Sequence, residues 1–458
     1  MKAGFMDTVT TASETPAKPP AGRLSRDEVQ AFKARDNVTN LRYIAGIYVV
    51  IAAAIASGVW ACETYLNGGI GFAALAPIVA IAVLAIGASQ HQLGAVIHEG
   101  THYTLFSNRT FNELASDYLG GFPIYTSTQS YRLHHFAHHQ FVNDPDRDPI
   151  ATQASETGHW LDFPVTHVQL VKGFVRLIHP LNLMRYMISR AKHSALPQGT
   201  NPFFDADHAA NPWAIHVGIL FAVGLPVVMV PLILLHQQIA ALAFLAAAWC
   251  AMVVFYLVLP DEQWPRARIT PTISDRATII GRMSYLGFIY GALTVVEFTT
   301  GVGAWGYYGL FWILPLFTAF PIFMVLREWI QHGNADRGRL TNSRVFLVDP
   351  VSRYAVFPLG MDYHLPHHLY ASVPHYKLKA LHEALLRDPE YAEKGQVVEG
   401  WIGASRSGEP SIVKVLGPDY AVKGDEIHID EATAEEAEVL DADKLKAHSA
   451  ASQTGRVW

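Results

Sequence analysis

Long stretches in which almost every residue is apolar recur along the chain, separated by segments rich in charged residues and histidine. A helix that crosses a membrane needs about 20 apolar residues to cover about 30 Å of hydrocarbon. It is also apolar on every face, unlike a helix that covers a soluble core. The pattern therefore predicts six spanning helices, at about residues 43–61, 71–97, 213–236, 238–260, 283–301 and 305–326.

The placement of lysine and arginine supports these spans. Neither residue occurs between Tyr43 and Asn108, between His193 and Pro265, or between Met283 and Leu326. A basic residue at the centre of a spanning helix costs roughly 2.5–3.5 kcal/mol, and cytoplasmic loops carry an excess of such residues. The short connectors inside each pair of spans therefore face away from the cytoplasm. Both chain termini and the long polar segments then face the cytoplasm, which for a bacterial protein means the inner membrane.

Composition agrees with a membrane protein and excludes several kinds of site. Half of the residues are hydrophobic and only 16% are charged, against about a quarter in soluble domains. The two cysteines, Cys62 and Cys250, lie in or beside apolar spans. A disulfide framework, a cysteine zinc site and a built-in iron–sulfur cluster are therefore not expected. No feature of the chain indicates a nucleic acid partner.

Three regions are predicted along the chain. Residues 1–40 hold a disordered Pro/Thr/Ala-rich leader and a basic cytoplasmic segment, 41–395 form the membrane domain, and 396–458 form a partly disordered tail that is acidic over 424–446. Within the membrane domain, residues 163–192 have a basic amphipathic pattern. This pattern favours helices that lie along the inner membrane surface, although a helix packed on the cytoplasmic part of the protein is the alternative.

Histidines cluster at the predicted cytoplasmic ends of the spans. The first cluster is H-E-x-x-H, and the next and the last each have H-x-x-H-H spacing, which brings side chains to one side of a helix. A single histidine ends the sixth span. The clusters comprise His98 and His102, then His135, His138 and His139, then His332, and finally His364, His367 and His368.

Nine imidazoles are too many for one metal ion, since a zinc ion takes four ligands. Two ions with four or five nitrogens each would use them all. Imidazole binds iron, copper, zinc and nickel, so ligand type leaves the metal open. The sequence therefore predicts an all-α integral membrane protein with a histidine-rich catalytic cap that holds two metal ions.

At these clusters the sequence resembles the membrane fatty acid desaturase superfamily, which includes acyl desaturases, lipid hydroxylases, and carotenoid ketolases and hydroxylases. The matching segments are HEGTH, LHHFAHHQF with NDPDRDP, and YHLPHHLYASVPHYKL. The resemblance covers roughly residues 40–390 and implies that the nine histidines bind iron, His332 at a position that varies between members. Many relatives have four spans, so four to six are expected.

The resemblance also implies the chemistry. Two iron ions, with dioxygen as co-substrate, oxidise an unactivated C–H bond of a membrane lipid. Desaturation of an acyl chain is the favoured outcome, and hydroxylation or carotenoid ketolation is the alternative. The chain has no His-Pro-Gly-Gly haem motif, cysteine cluster or flavin fingerprint. No bound haem, flavin or iron–sulfur cluster is therefore expected, and a separate ferredoxin-like or cytochrome donor, with its reductase, must supply electrons.

Three carboxylates, Glu99, Glu328 and Asp362, are candidates for orienting an imidazole by accepting its second N–H. The acidic residues of NDPDRDP could support the second cluster, and solvated acids in a proline-containing loop are the equal alternative. These residues are Asp144, Asp146 and Asp148. Glu328 is best placed, one helical turn before His332, although an ordinary interfacial charge is as good an interpretation. His134 is out of phase with its neighbours, and His91 lies deeper in the second span, where an uncoordinated, hydrogen-bonded histidine is favoured.

Two alternatives belong to other classes of protein. The pattern His98-Glu99-x-x-His102 is also that of zinc proteases, in which the glutamate activates water. That interpretation needs one further ligand and leaves most of the clustered histidines unexplained. A metal transporter would hold its ligands near the bilayer midplane, whereas these histidines lie at the ends of spans. Metal analysis of the purified protein distinguishes the three interpretations: an oxygenase would hold two iron ions per chain, a protease one zinc ion, and a transporter a weakly held, exchangeable ion.

Overall fold

A computed structural model describes residues 23–194, 203, 208, 210–267, 269–403, 405 and 407–420 of the chain, without the side chains of 193 and 194. The predicted leader before residue 23 and the acidic segment 424–446 lie outside the described residues. The α-helices, in chain order, are α1 (Arg26–Lys33), α2 (Thr39–Leu66), α3 (Phe72–Thr101), α4 (Arg109–Ser116), α5 (Thr128–Gln140), α6 (Pro149–Glu156), α7 (His167–Leu177), α8 (Pro180–Ser194), α9 (Trp213–Ile219), α10 (Leu225–Leu234), α11 (Gln238–Val258), α12 (Asp275–Thr300), α13 (Ala304–Tyr308), α14 (Leu314–Phe317), α15 (Ala319–His332), α16 (Pro350–Ala355), α17 (His364–Leu369), α18 (Leu378–Leu385), α19 (Pro389–Lys394) and α20 (Ile412–Val415).

Within the part of the chain that the structure describes, six helical stretches are long and apolar enough to cross a membrane. This confirms the predicted membrane protein and gives the upper end of the expected four to six spans. Two spans are composite, because a π-helical turn joins α9 to α10 and another joins α13 to α14, which leads into α15. The spans are Thr39–Leu66, Phe72–Thr101, Trp213–Leu234, Gln238–Val258, Asp275–Thr300 and Ala304–His332.

The polar segments fold into a cap over one end of the spans. Two short parallel strands, β1 (Arg344–Leu347) and β2 (Gln396–Glu399), pair with Val345 opposite Val397. The amide of Phe346 also donates to the carbonyl of Asp362 at 2.7 Å, which fixes the chain just before α17. Ile412 and Val415 of α20 are buried in the same core. Residues from the predicted C-terminal tail therefore help to build the cap.

Helices α7 and α8 lie between the first and second groups of spans in the chain and carry an exposed apolar face. Val171, Val175 and Leu181 are each about 60% exposed, while Leu177 and Leu183 are buried in the core. Such a division of one helix pair suits a position in which one side packs on the protein and the other enters the lipid interface. The amphipathic pattern predicted for this segment is present in the structure.

Close packing of α3 against α15 sets the distance between two parts of the histidine-bearing cap. Gly87 of α3 lies directly against α15, so that an added Cβ atom would meet the side chain of Ala319 and the amide nitrogen of Phe320, the latter at 2.9 Å. Only a residue without a side chain allows this approach. Because α15 ends at His332 and α3 ends beside His98, the contact positions both ends.

We expect Gly87→Ala to destabilise the protein by about 1–3 kcal/mol, because the added methyl group must push α15 away. Thermal unfolding of the purified protein, monitored by the loss of its folded peak in size-exclusion chromatography, should show a midpoint lowered by a few degrees. Gly94→Ala is the matched control on the same helix, since its added Cβ would lie 3.9 Å from Phe320, in ordinary contact. Equal midpoints for the two variants would contradict this account of the helix contact.

Candidate metal centre

The histidines come from four elements that meet at one end of the spans. His98 and His102 lie one turn apart where α3 ends, and His332 is the last residue of α15. The other six lie on α5 and α17, two short helices of the cap. The α5 helix begins where Ser127 caps its first turn by accepting the amide N–H of Ser130. All nine rings are buried.

The structure gathers the nine histidines into two separate groups. The first group takes five, namely His98, His102, His135, His139 and His367. The second takes four, namely His138, His332, His364 and His368. In each group, one nitrogen from every ring lies within 4.8 Å of those of the others. The structure therefore brings together all nine predicted ligands, in sets of five and four as a two-metal site requires.

Each H-x-x-H-H motif contributes to both groups. In α5, His135 and His139 belong to the first group while His138, between them, belongs to the second. In α17 the assignment is reversed, because His364 and His368 join the second group and His367 joins the first. Residues four apart project in nearly the same direction, and the residue at i+3 is rotated away from both. Each of these two short helices therefore carries histidines of both groups, which fixes the position of one group relative to the other.

The spacing of the nitrogens within each group is that of ligands around a common centre. Nε2 of His135 lies 2.9 Å from Nε2 of both His102 and His139, and Nε2 of His364 lies 3.0–3.1 Å from those of His332 and His368. One imidazole nitrogen carries either one proton or one lone pair, so it cannot serve two such neighbours by hydrogen bonding alone. Nitrogens bound to one metal at about 2.1 Å lie about 3.0 Å apart when the angle between them is 90°.

Burial makes the imidazoles suitable donors. Burial first, and the neighbouring histidines after it, hold the pKa of His135, His139 and His368 well below the ordinary value. The same causes lower the pKa of His364 and His367. These rings are therefore neutral near pH 7, the form that binds a metal ion. At the end of α3, both ring nitrogens of His98 are buried and have no hydrogen-bond partner among the described residues.

Two rings are oriented through their Nδ1 atoms. Nδ1 of His138 lies 2.9 and 3.0 Å from the two carboxylate oxygens of Asp148, and Nδ1 of His332 lies 3.2 Å from the carbonyl oxygen of Asn342. Carboxylate and carbonyl oxygens only accept hydrogen bonds, so Nδ1 carries the proton and Nε2 presents a lone pair to the group. This tautomer is the one that a metal ligand requires.

Asp148 is the one of the three acidic residues of NDPDRDP that contacts an imidazole of the second cluster. It lies near the end of the segment, where it also caps α6 by accepting the amide N–H of Ile150. The first of the three, Asp144, instead pairs with Arg147 and Arg337. Three acidic residues at alternate positions look equivalent in sequence. The N-cap position before Pro149 is the one signal that distinguishes Asp148.

The other carboxylate candidates have different partners. Glu328 pairs with Arg327, and Asp362 pairs with Arg353. Glu99 approaches Nδ1 of His98 at 3.5 Å, which is longer than an ordinary hydrogen bond. Its other oxygen accepts from the Thr104 hydroxyl and the His375 amide. Glu99 is therefore engaged by the protein on one oxygen and is not arranged to activate a water molecule.

His91 and His134, the two other histidines considered from the sequence, lie outside both groups. Nδ1 of His91 is 2.8 Å from the carbonyl oxygen of Ala355, which is the uncoordinated, hydrogen-bonded state expected for it. His134 lies beside Arg190, whose guanidinium is 3.4 Å from its Nε2. Neither residue belongs to the metal-binding arrangement.

An apolar cavity of about 650 Å³ between the spans is lined by neighbours of the first group rather than by its histidines. Tyr131 lines the cavity and stacks on His135, with the ring centroids 5.4 Å apart and the planes 16° from parallel. Ile97, which precedes His98, lines it as well. The ring of Tyr131 therefore separates this cavity from His135.

The donor set fits two transition-metal ions. All nine donors are imidazole nitrogens, which suit iron, copper, zinc or nickel and disfavour calcium or magnesium, whose ligands are oxygen atoms. In each group, the nitrogens lie within 4.8 Å of one another, close enough for one ion to contact all of them.

Comparison with known proteins identifies the family. Residues 73–280 and 249–397 match the sequence profile described as Fatty acid desaturase, which covers well over half of the chain. A dihydrorhizobitoxine desaturase of Bradyrhizobium elkanii is 23% identical over 387 residues, 83% of this chain and 85% of that protein. A Delta(5) fatty acid desaturase of Caenorhabditis elegans is 40% identical over 63 residues, 14% of each chain. The protein is therefore an oxidoreductase rather than a protease or a transporter, and it belongs to the fatty acid desaturase family.

Proposed function

We propose that this protein is a di-iron, dioxygen-dependent desaturase that introduces a double bond into the acyl chain of a membrane lipid. The observation that carries the proposal is the pair of buried, histidine-only groups beside an apolar cavity. Membership of the family supports iron as the metal and a lipid as the substrate. The two relatives described above each bear the name of a desaturase, which favours desaturation over hydroxylation.

The reaction balances when two hydrogens leave adjacent carbons of the chain, and two electrons and two protons arrive from outside, so that dioxygen becomes two water molecules. Two iron ions held by the nine histidines would supply the reduction of dioxygen and the cleavage of the C–H bonds. The electrons require a separate donor protein of the ferredoxin or cytochrome class. The residues of this chain hold the metals, exclude bulk water and align the substrate.

Alignment is the main contribution of the protein around the reacting carbons. The cavity confines an apolar chain between the spans, and Tyr131 lies between the chain and His135. A misplacement of about 1 Å can cost on the order of a hundredfold in rate. Asp148 keeps the proton of His138 on Nδ1, so that Nε2 remains a donor to the metal. These residues therefore act by position rather than by acid–base chemistry on the substrate.

The site is proposed to face the cytoplasm. Both long polar segments that carry the histidines are rich in lysine and arginine, whereas the short connectors at the opposite ends of the spans have none. A cytoplasmic electron donor would then reach the cap directly. Reporter fusions to the C-terminus and to the connector near residue 302 would place these two positions on opposite sides of the membrane.

Expression in a host that lacks this activity should yield lipids with two fewer hydrogens, as measured by lipid mass spectrometry. The purified protein should contain two iron ions per chain, and their removal by a chelator should abolish activity until iron is restored. A product that has gained one oxygen atom would contradict desaturation. Full activity of the iron-free protein would contradict the metal assignment.

We expect His135→Ala and His367→Ala to abolish product formation, because each removes a nitrogen from the five-histidine group. Both variants should still insert in the membrane, since the spans are unchanged, and iron content should fall below two per chain. His134→Ala is the control from the same helix, because His134 belongs to neither group. Unchanged activity in either ligand variant would refute the assignment.

Asp148→Asn should weaken iron binding by about 10- to 100-fold, because the carboxylate that orients the His138 ring is lost. Asparagine preserves the helix cap of α6, so the midpoint of thermal unfolding should change little. Competition with a chelator measures the affinity directly. Asp146→Asn removes an exposed neighbouring charge and should leave the affinity unchanged. Equal affinity in both variants would show that Asp148 only caps the helix.

A further inference from the structure

Tyr125 adopts a backbone conformation that is unfavourable for its type. It follows a short 3-10 turn, Phe122–Ile124, and precedes α5, with φ at +65° in the left-handed region. Glycine, asparagine and aspartate tolerate this region, whereas a bulky side chain adopts it at a cost in energy. Such residues persist where the surrounding structure holds them, often at functional sites. Contacts of the tyrosine side chain must therefore offset the cost of this backbone conformation.

The side chain of Tyr125 lies between two cavities. One is the apolar cavity of about 650 Å³ that reaches Tyr131, and the other is a cavity of about 520 Å³ that adjoins it. Five of the described residues line both cavities, and Tyr125 is the largest of them and the only aromatic one. The others are Ile188, Ala191, Ala222 and Val223.

The hydroxyls of two other tyrosines hold the Tyr125 ring in place. The hydroxyl of Tyr125 lies 2.6 Å from that of Tyr308 and 3.3 Å from that of Tyr290. Tyr290 in turn donates to the carbonyl oxygen of Ala222 at 2.7 Å. That carbonyl belongs to the π-helical turn Leu220–Gly224, a kind of turn often found at functional sites. Tyr125 is therefore tied to three different spans.

These observations bear on how a substrate chain is accommodated. A chain placed in the larger cavity would contact Tyr131, which stacks on His135, and would also meet Tyr125 and Tyr308 in the wall. The smaller cavity is also lined mainly by apolar residues, including Met283 and Leu286. Its volume would accept more of the chain if the tyrosine ring were absent.

Resting on the proposed function, we propose that Tyr125 is a partition between the two cavities that limits the length and bulk of the substrate chain. The ring closes the larger cavity, and its hydrogen bonds to Tyr308 and Tyr290 keep it closed. Tyr125 is thus a specificity-determining residue, which acts on the substrate by exclusion rather than on the chemistry.

Variants that differ in bulk test this partition. Tyr125→Gly removes the ring and suits the left-handed backbone, whereas Tyr125→Phe keeps the ring and loses only the hydroxyl. If the glycine variant does not accumulate, Tyr125→Asn is the second choice, because asparagine tolerates the same conformation. Each variant is prepared as the full chain with iron bound and compared with the unaltered protein.

The first measurement is binding. Saturated fatty acids of graded length compete with a fluorescent fatty acid for the purified protein. Each further methylene that becomes buried should increase binding about fourfold. The glycine or asparagine variant should therefore continue to gain affinity at lengths where the unaltered protein and Tyr125→Phe no longer do. The second measurement is the chain-length profile of the products in host lipids, which should shift to longer chains in the same variants.

The outcomes separate the two proposals. Longer chains bound without any double bond formed in any variant would refute the desaturase function and leave the partition standing. Active variants whose binding and products match those of the unaltered protein would overturn the partition. A shift of equal size in Tyr125→Phe would also overturn it, because the hydroxyl rather than the bulk of the ring would then set the limit.

Discussion

Nine buried imidazoles that converge at one end of the spans are the constraint on which this structure depends. Seven of them have a ring nitrogen 2.9–3.1 Å from that of a neighbour. Neutral rings have too few protons and lone pairs to satisfy one another at such spacing. Bound metal ions would stabilise this convergence, since metal binding contributes free energy to folding in such sites. The cap and the span ends both serve to hold these two groups.

The two groups are built as one unit because each short helix contributes to both. The i and i+4 histidines of α5 serve one group and the i+3 histidine serves the other, and α17 repeats the arrangement in reverse. A displacement of either helix would therefore disturb both groups. Asp148 likewise has two roles, because its carboxylate caps α6 and orients His138.

The proposed oxidation of an apolar chain needs a site shielded from water, and the cavity between the spans would provide it. The cavity runs from Tyr131, which stacks on His135, to the tyrosine cluster around Tyr125. Close contact between α3 and α15 at Gly87 holds the span ends that carry His98 and His332. The membrane helices thus position the histidines of the span ends and also shape the cavity proposed for the substrate.

The sequence by itself predicted four to six spans, a helical cap and the nine clustered histidines, because hydropathy and i, i+4 spacing are local properties of the chain. It did not distinguish Asp148 from Asp144, it did not divide the histidines into sets of five and four, and it did not show that Tyr125 lines two cavities. These features depend on which residues distant in the chain meet in space. Tertiary packing decided them, since the direction of a side chain on a short helix acquires a partner only when the other helices are in place.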